Sequence, residues 1–123
     1  MTDEAMVLSA YKTISKEGSF RFDTPEQQAA LGVFEPLLPE RVDIYLSPLW
    51  DFRRPAAMIA WCNENLGDAL VTYHEPITEI MEDGRSLLTR RKAFNPEGRW
   101  EILRRTFFFR EVDDAMWFKM VWW

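Results

Sequence analysis

Residues 100 to 123 read WEILRRTFFFREVDDAMWFKMVWW, and this stretch decides how the chain is interpreted. It holds eight aromatic side chains and closes on Val121-Trp122-Trp123. A segment at the end of a chain frays unless other contacts tie it down, and two exposed tryptophans would leave a large apolar area in water. We therefore expect this stretch to complete a sheet, to seal a core or to meet a partner.

The alternation in this stretch predicts a long strand over residues 100–112, a turn at Asp113-Asp114 and a final strand over residues 115–123. Successive side chains of a strand point to opposite faces, so Phe107-Phe108-Phe109 would place rings on both sides. A ribbon that is aromatic on both sides favours a sheet-to-sheet dimer contact over its alternative, a curved sheet that wraps the helices. The predicted interface residues are Phe107, Phe109, Trp117, Trp122 and Trp123.

The preceding residues predict three helices. They cover residues 2–17, 25–34 and 55–66. The second helix has Thr24 as its N-cap, Pro25 at its first position and Gln27 completing a capping box. The third ends at Asn65 and Gly67. Short strands are predicted at 42–46, 69–74, 77–82 and 85–94, with turns at Asp83-Gly84 and 95–98. The resulting fold class is α+β in one domain, residues 1–123. Three N-terminal helices would pack on one face of a curved, cone-like antiparallel sheet of about four long strands.

The composition is ordinary for a soluble protein, with 28% charged residues and a net charge of −5. No apolar run is long enough to span a bilayer, and the amino terminus lacks the features of a signal peptide. Cys62 is the only cysteine, which excludes an intrachain disulfide and zinc sites of the CxxC type. These features predict a cytoplasmic protein without membrane association, metal or cofactor.

The charge is unevenly distributed. Residues 1–80 carry six basic and thirteen acidic side chains, whereas residues 81–123 carry nine basic and seven acidic ones. The basic side chains could meet nucleic acid, but the acidic whole chain disfavours such a partner. The favoured interpretation is that they are solvated strand residues that pair across the sheet with acids such as Glu101 and Glu111. The basic candidates are Arg90, Arg91, Lys92, Arg104 and Arg105.

The order of helix, helix, short strand, helix and antiparallel strands resembles the cone-shaped fold of the nuclear transport factor and ketosteroid isomerase superfamily, also called SnoaL-like. Residues 42–46, 55–66 and 69–123 fall in that order, and Glu97-Gly98-Arg99-Trp100-Glu101-Ile102 is the nearest local match. The resemblance implies a cone whose pocket is catalytic, binds a small molecule, or is filled while the sheet makes a dimer. It transfers no catalytic residue to this chain.

Few residues in this sequence lie in a pattern typical of a catalytic or ligand-binding site. The only histidine, His74, is a weak candidate for a general base inside a cone, against its interpretation as a strand-end residue before Pro76. Asp43 and Asp51 are the other weak catalytic candidates. The predicted ligand-binding residues are Tyr45, Trp50, Arg53 and Tyr73. The chain has no phosphate-binding loop, dinucleotide fingerprint, HExxH or GxSxG sequence.

These features favour a non-catalytic module that binds a ligand or a protein through an aromatic sheet surface as a homodimer. The alternative is a small cone-fold isomerase or hydrolase that acts on a compact apolar substrate. An internal pocket that holds His74 or Asp43, with activity lost when either is replaced, would favour the enzyme. A strictly monomeric protein that stays stable without Trp122 and Trp123 would count against the dimer.

Overall fold

The computed structural model describes residues 3–15, 24–44, 54–73, 77–89 and 92–123. Its helices are α1 (Asp3–Ser15), α2 (Pro25–Phe34), α3 (Arg54–Leu66) and α4 (Val112–Trp122). Its strands are β1 (Glu40–Asp43), β2 (Val71–Tyr73), β3 (Ile77–Ile80), β4 (Ser86–Thr89), β5 (Lys92–Phe94), β6 (Trp100–Leu103) and β7 (Thr106–Phe109). They form three antiparallel sheets, ordered β1-β7-β6, β2-β5 and β3-β4. The α+β class is therefore confirmed.

Local sequence signals account for several element boundaries. The Thr24 hydroxyl accepts from the Gln27 N–H at 3.1 Å and the Gln27 side chain accepts from the Thr24 N–H at 3.3 Å, which completes the predicted capping box at the start of α2. Gly67, with φ +83°, ends α3 in the left-handed conformation that glycine adopts readily. Gly84, with φ +84°, closes the predicted turn between β3 and β4. None of the helices in the described ranges is long and apolar enough to cross a membrane.

The prediction of a final strand over residues 115–123 is wrong, because this segment forms α4. Its buried residues Asp114, Ala115 and Phe118 recur at helical spacing, and Trp122 lies half-buried one turn further on. Asp113 and Asp114 lie in the first turn and Lys119 lies in the last, which suits the helix dipole. A dense run of apolar residues satisfies both the strand and the helix period, and here the helix period prevails.

The single long strand predicted over residues 100–112 is also wrong. The chain turns back at Arg104-Arg105, and β6 and β7 form a hairpin in which Trp100 lies opposite Phe109. Arg104 has φ +60°, a left-handed conformation that a non-glycine residue rarely adopts. The turn contains no Gly, Pro or Asn, the residues that usually indicate a turn in a sequence.

Helices cover both faces of the β1-β7-β6 sheet, which corrects the expected packing of helices on one face. On one side, Phe108 and Leu103 pack in a core cluster with residues of α1 and α2. On the other side, Phe107 and Phe109 pack with residues of α3 and α4. The expected four long strands are replaced by strands of three or four residues in three separate sheets.

Candidate ligand-binding cavity

A cavity of about 520 Å³ lies where β2 separates from β6. The two segments meet at one end, where the Leu70 N–H donates to the Trp100 carbonyl at 2.9 Å. Beyond that point they diverge, and β6 is an edge strand of its sheet on this side. The cavity is lined from α1 by Tyr11, from α3 by Ile59 and Asn63, from the following loop by Asp68 and Ala69, and from the strands by Val71, Thr72, Tyr73, Trp100, Glu101 and Ile102. We call it the Glu101 cavity.

Glu101 occupies the gap between the two strands and is only 3% exposed. Its Oε2 accepts a hydrogen bond from the Val71 N–H at 2.9 Å, so the carboxyl takes the place that a backbone carbonyl would fill in a continuous sheet. Opposite it on β7 lies Phe108, which is also buried. The expectation that Glu101 is a solvated partner of the arginines is therefore wrong.

Burial changes the acidity of this carboxyl. Desolvation raises the pKa of Glu101 to about 8, while the backbone N–H groups of Val71 and Ile102 favour the ionised form and limit the rise. The carboxyl is consequently protonated for the most part at neutral pH. A neutral carboxyl donates and accepts hydrogen bonds, and it ionises when a cation approaches.

Two tyrosines and an exposed acid form the mouth of the cavity. The Tyr11 and Tyr73 hydroxyls are 3.0 Å apart and connect α1 to β2. The Lys92 Nζ lies 5.2 Å from the centroid of the Tyr11 ring, within the range of a cation–π contact. Asp68 and Tyr73 are exposed, whereas Val71 and Trp100 are buried. The cavity therefore has polar groups at its mouth, and its lining combines polar and apolar groups around one buried carboxyl.

Tyr73, the predicted ligand-binding residue that falls within the described residues, lines this cavity. Asp43 lies elsewhere, on β1, where its Oδ1 accepts from the Thr106 hydroxyl at 2.7 Å and from the Arg41 Nε at 3.0 Å. The bond to Thr106 connects β1 to β7 and the bond to Arg41 lies within β1, so Asp43 has structural partners here. Five further candidates lie outside the described residues: His74, Tyr45, Trp50, Asp51 and Arg53.

The predicted interface residues divide into two groups. Phe107 and Phe109 are fully buried by this chain's own helices, so their rings are not available to a second chain. Trp122 is half-buried against the same cluster. Trp117 and Trp123, on the outer side of α4, are 43% and 42% exposed. Trp117 also makes an edge-to-face contact with Trp61 at 4.9 Å between centroids.

The prediction from sequence missed Glu101, Tyr11, Asp68 and Trp100 as residues of one site. For Glu101 a signal was present, because the acid is flanked by Trp100 and by Ile102-Leu103. A carboxyl inside an apolar strand segment is typical of a buried group. Tyr11 and Asp68 gave no comparable signal, since their proximity depends on how α1 and the end of α3 pack.

No protein-family model matches the chain, and searches of curated proteins and of solved structures likewise find no match. Among the described residues, no group of three or more His, Cys, Asp or Glu side chains could hold a metal ion.

Proposed function

We propose that this protein is a non-catalytic binding module that takes a compact, largely apolar small molecule into the Glu101 cavity. The observation that carries the proposal is a buried carboxyl in the wall of a cavity of about 520 Å³. Ligand pockets are typically about 300–1,000 Å³, mainly apolar, with a few converging polar groups. The cavity has a volume in this range and a lining that mixes apolar side chains with a few polar groups. We therefore propose the space between β2 and β6 as the binding site in place of the aromatic sheet surface.

A cavity-filling variant tests this proposal. Ala69 lines the cavity, so Ala69→Phe should occupy part of its volume, whereas Ala56→Phe changes an exposed position of α3 and serves as the matched control. The probes are cyclohexyl and naphthyl compounds, each with an ammonium, a ketone or a carboxylate group, titrated by calorimetry and followed by amide NMR shifts. We expect binding by the wild type and by the Ala56→Phe variant, and at least tenfold weaker binding by Ala69→Phe. If none of the probes binds the wild type, or if both variants bind equally well, the proposal is wrong.

The second candidate function is a small isomerase or hydrolase, and the pKa of Glu101 favours it. A carboxyl with a pKa of about 8 is suited to transfer protons near neutral pH. The resemblance to the cone-shaped superfamily adds to this candidate, although it remains a prediction. Exchange of the α-protons of cyclohexanone for deuterium, followed by NMR, tests for an isomerase. Catalysed exchange that Glu101→Gln abolishes would favour the enzyme, and a rate equal to that of buffer would count against it.

We also propose that the protein forms a homodimer through the outer face of α4. This face exposes six large apolar side chains: Val112, Met116, Trp117, Met120, Val121 and Trp123. Together they present on the order of 600 Å² of surface, which approaches the roughly 800 Å² that each partner buries in a standard interface. A two-fold axis would place this face against its own copy.

Two matched substitutions test the dimer. Met120 is 83% exposed on α4, and Ile80 is 80% exposed on β3. In sedimentation and light scattering we expect a dimer for the wild type and for Ile80→Glu, and a monomer for Met120→Glu. A wild type that stays monomeric at high concentration would overturn the proposal.

We propose that the protein is cytoplasmic. Its single cysteine is buried and free, and structural disulfides are the feature typical of proteins in an oxidising compartment. Fractionation of cells that express the tagged chain tests this location. Recovery of the tag from an oxidising compartment would contradict it.

A further inference from the structure

We propose that the ligand of the Glu101 cavity is a compact organic ammonium ion, held by the carboxyl groups of Glu101 and Asp68 and by the surrounding aromatic side chains. This inference rests on the proposed binding function and specifies the chemical class of the ligand. It follows from the charges of the cavity lining, from its aromatic content and from the way a buried carboxyl responds to a cation.

Among the described residues, the cavity lining contains the carboxyl groups of Asp68 and Glu101 and no Lys or Arg. A ligand with a carboxylate or a phosphate would therefore face acids in this described part of the lining. The lining selects against an anion and favours a cation.

The aromatic residues of the lining also favour a cation. Tyr11 and Tyr73 line the cavity, and such rings attract organic cations through their electron-rich faces, whereas the Trp100 ring is buried against Phe107. The molecule already contains one contact of this kind, because the Lys92 Nζ lies 5.2 Å from the Tyr11 ring centroid. An apolar body on the ammonium ion would pack against Ile59, Val71 and Ile102.

Binding of an ammonium ion should release the proton of Glu101. In the empty cavity the pKa of Glu101 is about 8, so ionisation at pH 7 costs about a factor of ten in affinity. A cation within about 4–6 Å lowers the pKa of a carboxyl by about 1–3 units, which offsets that cost. The O–H bond of Glu101 breaks, its proton passes to solvent, and the carboxylate remains paired with the ammonium group.

Other charged and titratable groups lie on the elements around this carboxyl and contribute to the pH dependence of binding. They are Tyr11 of α1, Asp68 of the loop after α3, Tyr73 of β2, Lys92 of β5 and Arg41, which lies on the same sheet face on β1. Asp68 is the matched control for Glu101, because it is a carboxyl of the same lining that remains exposed.

The experiment compares three head groups on one ring: cyclohexylammonium, cyclohexanone and cyclohexanecarboxylate. Calorimetry in two buffers with different ionisation enthalpies measures both the affinity and the number of protons released. We expect cyclohexylammonium to bind at least tenfold more tightly than the other two, with release of about one proton at pH 7 and clearly less at pH 9. Glu101→Gln should bind it at least tenfold more weakly and release no proton, whereas Asp68→Asn should retain the proton release.

The results separate this inference from the binding function on which it rests. Preference for the ketone or the carboxylate, with loss of binding in Ala69→Phe, would overturn the ammonium ligand and leave the binding function intact. Binding of cyclohexylammonium without proton release, or unchanged binding by Glu101→Gln, would also overturn the inference. Absence of binding for all three compounds would contradict both.

Discussion

The Arg99 side chain holds the Asp114 carboxylate with two hydrogen bonds, from Nε to Oδ2 at 3.0 Å and from Nη2 to Oδ1 at 2.6 Å. The side chain of Asp114 is 7% exposed, whereas that of Arg99 is 45% exposed. The pair connects the turn before β6 to the first turn of α4. Two parallel bonds of this kind fix orientation as well as distance, so the pair helps to seat α4 on the sheet.

Loss of Arg99 should therefore destabilise the protein. Arg99→Ala leaves a nearly buried carboxylate without these bonds, and we expect the free energy of unfolding to fall by about 2–3 kcal/mol. Arg99→Lys should recover only part of this loss, because an ammonium group cannot reproduce the paired geometry. Urea unfolding at neutral pH measures both effects. Equal stability of Arg99→Ala and the wild type would show that α4 is held by apolar packing alone.

The pKa of Glu101 predicts how stability depends on pH. The folded chain keeps this proton up to about pH 8, whereas a solvated glutamate has a pKa of 4.5. Between these values the unfolded chain binds fewer protons than the folded chain, so stability falls as pH rises. Ionisation of this group should lower the free energy of unfolding by on the order of 3–5 kcal/mol between these two pH values. Glu101→Gln should abolish this component.

The measurement for this prediction is urea unfolding of the wild type and of Glu101→Gln at several pH values between about 5 and 8.5. We expect the stability of the variant, relative to that of the wild type, to increase steadily with pH. The other titrating groups are common to both proteins and cancel in the difference. Parallel stability curves would mean that Glu101 is ionised in the folded chain.

Gly98 occupies a position where a side chain cannot be accommodated. A Cβ there would lie 2.5 Å from the Leu70 Cα and 2.6 Å from the Leu70 nitrogen, both of which are backbone atoms. Gly98→Ala should therefore push the start of β2 away from β6, with an expected loss of about 2 kcal/mol or more. Gly32→Ala is the control, because the position lies within α2 with no atom within 4 Å, and it should stabilise by up to about 1 kcal/mol. Thermal unfolding compares the two, and a Gly98→Ala variant as stable as the wild type would contradict this prediction.

Cys62 should react slowly in the folded protein. Burial, with a smaller contribution from the charge of Asp114, raises the pKa of this thiol to about 12, so the reactive thiolate is scarce at neutral pH. We expect alkylation by iodoacetamide to be at least about a hundredfold slower than in guanidinium chloride. Because Cys62 is the only cysteine, mass spectrometry of the intact protein follows the reaction directly. Rapid modification under native conditions would indicate that α3 opens easily.

The elements with local sequence signals were predicted correctly. The elements whose conformation depends on packing were not. The capping box at Thr24, the end of α3 at Gly67 and the turn at Gly84 all depend on residues close in sequence, and all are confirmed. The assignment of residues 115–123 failed because an apolar run fits two periods. The hairpin turn at Arg104 was not predicted, because arginine rarely adopts the left-handed conformation that it has there.

The candidate site was harder to predict than the fold. Tyr73, predicted to bind a ligand, lines the proposed cavity, and its role stays a prediction. Glu101 was interpreted as a surface acid, because alternation along a single long strand does not reveal a strand edge where two sheets separate. The tripeptide Gly98-Arg99-Trp100 lies in the stretch that carried the resemblance. Gly98 and Trp100 contact the connection between α3 and β2, and Arg99 contacts α4. Gly98 packs on Leu70, Arg99 binds Asp114, and the Trp100 Nε1 donates to the Gly67 carbonyl at 2.8 Å.

The position of β7 between two helical layers has a consequence for synthesis. β1 pairs with β7 across 63 residues from Asp43 to Thr106, and Phe108 completes the core of α1 and α2. At about 5–20 residues per second, the ribosome needs several seconds to make that intervening chain. During that interval the core of α1 and α2 lacks Leu103 and Phe108. The complete core therefore forms only after the segment 100–109 has left the ribosome, and its apolar side chains stay partly exposed until then.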